Sequence, residues 1–168
     1  MIPSHKSFCS SNDMLSLPPL QSNNSLYTGD DMLVVIDPGV SNYDCLAMAI
    51  SSKAEVVLLD PHEDAISQIT AALHSFNKPF SNLHIIVECV PGTLNFTYGD
   101  FSFQTLKRYV NQLQKWFVNT TSKSPQQTPQ VFIYGRQVTT NEVGRQFMDT
   151  LAWLTGASVV TASTYPQT

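Results

Sequence analysis

The stretch MLVVIDPG, residues 32–39, decides the fold. Its first five residues, Met32 to Ile36, form a near-continuous apolar run, as expected of a strand covered on both faces. Pro38-Gly39 then breaks the run. Strands covered on both faces belong to parallel sheets between helical layers, so the following segments should alternate helix with strand.

They do. NYDCLAMAIS (42–51) is a short helix with Tyr43, Leu46, Ala47 and Ile50 on one face. AEVVLLD (54–60) is a second buried strand. Asp60-Pro61-His62-Glu63 starts a helix, with Asp60 as cap, Pro61 at the first helical position and Glu63 completing a capping box. Ile66, Ile69, Leu73 and Phe76 form its apolar stripe, and Lys78-Pro79 ends it. LHIIVEC (83–89) is the third strand. GTLNFTYGDFSF follows as a hairpin turning around Tyr98-Gly99-Asp100. Ser102 caps a helix with Phe103, Leu106, Val110, Leu113 and Phe117 on its stripe. After a polar loop (119–130), QVFIYG (130–135) is the fourth strand. A second capping box, Thr139 to Glu142, opens a helix carrying Val143, Phe147, Leu151 and Leu154. Gly156 stops it, and ASVVTAS (157–163) is the fifth strand. Trp116 and Trp153 fall at helical spacing and read as core.

This order predicts an α/β fold: a mostly parallel, doubly wound sheet of about five strands, helices on both faces, plus a small hairpin. The domain spans 32–165. Residues 1–31, rich in Ser, Asn and Pro, read as a flexible N-terminal arm whose Met14, Leu15, Leu17 and Leu20 form a partner-docking element.

Composition excludes several classes. Of 168 residues, 42% are apolar and 13% charged, with net charge -4 and no basic run. That disfavours nucleic acid and anionic membranes. No run approaches the roughly 18 residues of a membrane span. The N-terminus lacks the apolar core of a secretory signal, which favours the cytoplasm slightly and leaves export by a non-standard route open. Asn119-Thr120-Thr121 has the form of a glycosylation triplet, without meaning in that setting. The three cysteines, Cys9, Cys45 and Cys89, lack the spacing of a disulfide framework or a zinc site and read as free thiols, two of them buried.

In open parallel sheets, ligands bind beyond the carboxyl ends of the strands. Here those positions hold Asp37, Asp60, Glu88 with Cys89, and Gly135 with Arg136; Tyr98 lies on the rim. The stretches LVVIDPGVSNYDCLA, AEVVLLDPHEDAISQITAAL, LHIIVECVPGTLNF, QVFIYGRQV and LAWLTGASVVTAS resemble a bacterial family known as domain of unknown function 4347, over residues 33 to about 163. Its members usually lie near the N-terminus of large, repeat-rich, adhesin-like proteins. The family in turn resembles a caspase-like cysteine-peptidase fold, in which a His-Gly pair ends one strand and a Gly-Cys pair ends the next. This chain departs there: Val87-Glu88-Cys89 stands where the pattern has Ser-His-Gly, and Tyr134-Gly135-Arg136 where it has Tyr-Gly-Cys.

The resemblance therefore implies a pseudopeptidase, with no catalytic residue to carry over. Glutamate is a poor base near neutral pH, and an arginine cannot attack. Glu88 and Arg136 are expected to pair across the old cleft. One rival is a hydrolase using Cys89 with His62, since His84 lies some 16 Å back along the strand at about 3.3 Å per residue. Another is a divalent-metal site on Asp37, Asp60 and Glu88, opposed by Arg136 and by the roles of Asp37 and Asp60 in turn and cap. The favoured expectation is a non-enzymatic scaffold or protein-binding module within a larger assembly, with no cofactor or metal.

Overall fold

A computed structural model describes residues 31–50, 54–120 and 128–162, without the side chain of Arg136. The expected tail residues Met14, Leu15, Leu17 and Leu20 lie outside the described residues.

The apolar run at the start of the domain becomes β1 (Met32–Ile36), and Leu33 to Ile36 are all fully buried. The chain continues through α1 (Tyr43–Ile50), β2 (Glu55–Leu58), α2 (Ala65–Ser75) and β3 (Asn82–Ile86). Next come β4 (Glu88–Val90), β5 (Thr93–Asn95) and β6 (Asp100–Ser102), then α3 (Phe103–Leu106), a 3-10 turn and α4 (Val110–Leu113). The chain then runs through β7 (Gln130–Tyr134), a second 3-10 turn (Arg136–Thr139), α5 (Glu142–Thr155) and β8 (Ser158–Ala162).

Five strands form one sheet in the order β2-β1-β3-β7-β8, and every neighbouring pair is parallel. The expected α/β class and parallel sheet are what the chain adopts. β4, β5 and β6 form a separate antiparallel sheet. The expected third strand over 83–89 is thus two strands in two sheets. It breaks at Val87, where an unbroken apolar run gave no sign of a change of partner. Among the described residues no helix is long and apolar enough to cross a membrane.

The two faces of the large sheet are unequally covered. Leu33, Val35, Leu83, Ile85, Val131 and Ile133 point into the main core, under Ile66, Ile69 and Leu73 of α2, Leu106 and Leu113 of α3 and α4, and Phe147, Leu151 and Leu154 of α5. Val34, Ile36 and Ile86 point the other way, against Tyr43, Leu46, Ala47 and Ile50 of α1, the stripe read from the sequence.

Several local readings are corrected. Asp64, not Asp60, caps α2, accepting from the Ser67 N–H at 2.8 Å. Burial alone would raise the Asp64 pKa, but hydrogen bonds from the Tyr109 hydroxyl and from Ser67 outweigh it and lower it. Asp60 instead accepts from the His62 N–H at 2.8 Å, while the Gln68 side chain bonds both its N–H and its carbonyl. Asn141, not Thr139, caps α5, accepting from the Gly144 N–H at 2.8 Å. Val143 is exposed, and Gly144 and Met148 are buried beside Phe147 and Leu151. The single helix expected after Ser102 is three short turns, which bring Tyr109 to Asp64 and leave Phe103 exposed. Trp116 is core and bonds Thr70 Oγ1 at 2.9 Å, whereas Trp153 is 78% exposed. Gly156 ends α5 as expected, at φ 67°, a left-handed conformation natural to glycine.

β3 carries one polar ring into the middle of the sheet. His84 is 6% exposed, stacks on Phe132 of β7 at 4.5 Å between centroids, and shares a 2.7 Å hydrogen bond between its Nδ1 and the Tyr134 hydroxyl. Burial penalises the imidazolium and pulls the His84 pKa from 6.5 to about 4. The unfolded chain therefore binds a proton at this residue more readily than the folded one. The His84 contribution to stability is complete above pH 6.5, declines as the pH falls from there, and levels off below about 4. Urea denaturation should show a loss of about 2 kcal/mol between pH 7 and pH 5 from this group, and His84→Asn should flatten that slope.

Candidate binding site at the strand ends

The sheet order reverses direction between β1 and β3, which makes their carboxyl ends the natural ligand crevice. The small sheet sits beyond them. β4 and β5 join through Pro91-Gly92, with Gly92 at φ 75°, and proline followed by a positive-φ glycine suits a type II turn. The Gly92 N–H donates to the Val138 carbonyl at 2.9 Å, tying this turn to the 3-10 segment after β7.

Asp37, the first residue past β1, is 2% exposed. Its Oδ1 accepts from the Gly39 N–H at 2.8 Å and the Thr97 hydroxyl at 2.7 Å, and its Oδ2 accepts from the Thr97 N–H at 2.9 Å. Its own N–H donates to the Ile86 carbonyl at the end of β3, 2.9 Å away. One carboxylate thus joins β1, its following turn and the loop between β5 and β6. Gly39 is required for space: a Cβ there would stand 2.8 Å from Asp37 Oδ1 and 3.0 Å from Thr97 Oγ1.

Side chains alternate along β4, so Cys89 points inward with Leu94 and Phe101, its neighbours across the small sheet. Cys89 lies against Gly135. A Cβ on Gly135 would meet Cys89 Sγ and stand 2.7 Å from Cys89 Cβ. Gly135 has φ -179°, extended backbone open to any residue, so close approach is what demands glycine. Cys89 is a free thiol that donates to the Val87 carbonyl at 3.4 Å. Burial, with Glu88 adding repulsion, pushes its pKa up to about 12. A reactive cysteine needs the opposite environment.

Glu88 leaves β4 on the outer side, in register with Asn95 and Asp100. Asn95 Nδ2 donates to Asp100 Oδ1 at 2.8 Å. Tyr98, in the turn beyond, is 56% exposed, and Val90 is exposed on the same outer face. The ion pair expected between Glu88 and Arg136 ends on a side chain outside the described residues. Among the described residues no three His, Cys, Asp or Glu side chains cluster as metal ligands. The Asp37 oxygens face three donors, an arrangement that suits a carboxylate acceptor rather than a cation's ligand. Asp60 is exposed and bound to its own turn.

The structure corrects one cysteine reading as well: Cys45, expected as a free thiol, is disulfide-bonded. Sequence reasoning placed Asp37 and Cys89 in this region but missed Thr97 and the packing role of Gly135. Thr97 had no visible signal, because its partner lies 60 residues away in the chain.

Residues 33–167 match the family described as Domain of unknown function (DUF4347). No curated protein matches the chain.

Two substitutions test this geometry. Asp37→Ala leaves three donors without their acceptor and should cost about 3 kcal/mol in urea denaturation, whereas Thr97→Val, which keeps the backbone bond, should cost about 1 kcal/mol. Gly135→Ala drives a methyl into Cys89 and should lose about 2 kcal/mol; Cys89→Gly in the same chain should recover part of it.

Proposed function

This chain belongs to the DUF4347 family, and for it we propose a non-catalytic role: a protein-binding or scaffold module whose strand-end crevice is closed by its own loop. The observation that carries the reading is the state of Cys89. Its thiol is packed on Gly135, bonded to a backbone carbonyl, and held in its protonated form by burial. If the family shares a caspase-like fold, Glu88 and Arg136 stand where a histidine and a cysteine would act. On that reading the remaining cysteine is one position away and faces the interior.

The same geometry argues against a hydrolase built on Cys89. The donors around Asp37 argue in the same way against a metal site on Asp37, Asp60 and Glu88. What this region offers to solvent is contact surface: Glu88, Val90 and Tyr98 on the small sheet.

A displayed library of random peptides tests both parts of the reading. Selected peptides should bind without being cut. Binding should fall at least tenfold in Tyr98→Ala or Glu88→Lys and stay unchanged in Cys89→Ser. Cleavage of a peptide by the wild type, abolished in Cys89→Ser, would replace this reading with the hydrolase.

A further inference from the structure

The large sheet ends at β8, and among the described residues no strand lies beyond it. The Ser158 N–H donates to the Pro129 carbonyl at 2.8 Å, and Ser158 is in register with Gln130 of β7. In a parallel ladder the bonding side alternates along the strand, so Ser158, Val160 and Ala162 turn their N–H and C=O groups toward β7. Val159 and Thr161 turn theirs outward, away from the sheet. That edge therefore presents two donors and two acceptors with no partner among the described residues. We propose that β8 pairs with β8 of a second copy of this chain, antiparallel across a two-fold axis at Val160, joining two five-stranded sheets into one.

The edge is complementary to itself. Antiparallel pairing centred on Val160 sets Val159 against the partner's Thr161 and Thr161 against the partner's Val159. Each such pair exchanges two N–H···O=C bonds, so the outward groups of both strands are all used. Val160 meets its own copy in the non-hydrogen-bonded position between them, where facing side chains approach most closely. Val160 is 41% exposed on its face of the sheet, while Val159, on the other face, packs against the main core. Pairing covers the exposed valine without disturbing that core.

A two-fold axis sets every side chain near it beside its own copy, so a charge there repels itself. β8, SVVTA, carries neither charge nor proline, and no residue from Leu151 to Ala162 is charged. Edge strands that stay single are commonly blunted by such residues. The opposite edge, β2, has four residues, is headed by Glu55 in a 3.1 Å ion pair with Lys78, and runs into Asp60-Pro61. Five residues of edge bury less than the roughly 1,200 Å² of a lasting interface, so the dimer dissociates on dilution. The edge is distinct from the strand-end surface, and its pairing does not depend on the function proposed there.

The test is sedimentation velocity of the full chain from micromolar to millimolar concentration, with amide hydrogen exchange read residue by residue. The mass should rise with concentration from 18.6 kDa toward twice that value. Exchange at the Val159 and Thr161 amides should slow about tenfold or more as the dimer forms, and far less at Val160, whose amide is already bonded to β7. Val160→Lys sets like charges on the axis, and Thr161→Pro removes an outward donor without touching a bond to β7. Each should remain at the monomer mass with native circular dichroism, and Leu58→Lys on β2 should dimerise as the wild type does. A wild type that stays at 18.6 kDa throughout would overturn the proposal. So would a dimer in which Val159 and Thr161 keep their monomer exchange rates, one that persists in both β8 variants, or one lost in Leu58→Lys. The wild-type exchange rates decide the matter even where a variant does not fold.

Discussion

A single buried carboxylate organises the carboxyl end of the parallel sheet. Asp37 leaves β1 where an open parallel sheet normally receives its ligand, and it accepts from Gly39 and twice from Thr97. A carboxylate removed from water must find donors or carry a large desolvation penalty. Here the donors come from the chain itself, across 60 residues of sequence. The clamp thereby fixes the loop between β5 and β6 over the ends of β1 and β3, and with it the small antiparallel sheet. That sheet contributes Leu94 and Phe101 to the main core, where Phe101 meets Phe147 of α5 edge-on at 5.2 Å. The hydrogen-bonding capacity of Asp37 is met by groups of the protein itself.

Cys89 follows from that placement. Once β4 is laid beside the end of β7, one face of the strand must meet Gly135 and the other must meet solvent. Strand alternation gives Cys89 the inner face and Glu88 the outer. The thiol is then desolvated with a carbonyl for its proton and a carboxylate next to it in the chain, and both burial and that charge oppose ionisation. Chemistry and packing make competing demands on a strand-end cysteine, and here packing has the residue.

The large features of the fold were legible because they rest on runs and periods. The unbroken apolar stretch of β1, the Tyr43-Leu46-Ala47-Ile50 stripe and the glycine stop at Gly156 all survive in the structure. Caps were less legible, since two aspartates, Asp60 and Asp64, stand four residues apart and only the path of the chain chooses between them. The start of α5 was also misplaced, since Asn141 rather than Thr139 is the cap, and the stripe enters the core through Gly144 and Met148 rather than Val143. The change of sheet at Val87 was hidden because hydrophobicity reports burial and not the identity of the neighbouring strand. Long-range pairs were the least legible. Nothing local distinguishes Thr97 as the partner of Asp37, or Cys45 as a disulfide cysteine. At the strand ends, the sequence placed Asp37 and Cys89 after β1 and on β4, and gave no sign of the Thr97 loop that meets Asp37.

The claim that Cys89 is a packed, protonated thiol is tested most directly by the pH dependence of its alkylation in the native protein, read peptide by peptide. Closure predicts slow modification at neutral pH, a rate that climbs only as the pH approaches 12, and a large acceleration once urea unfolds the chain. A native rate that already reaches its plateau near pH 7, or one that unfolding fails to increase, would mean an accessible thiolate at the strand end and would contradict the account.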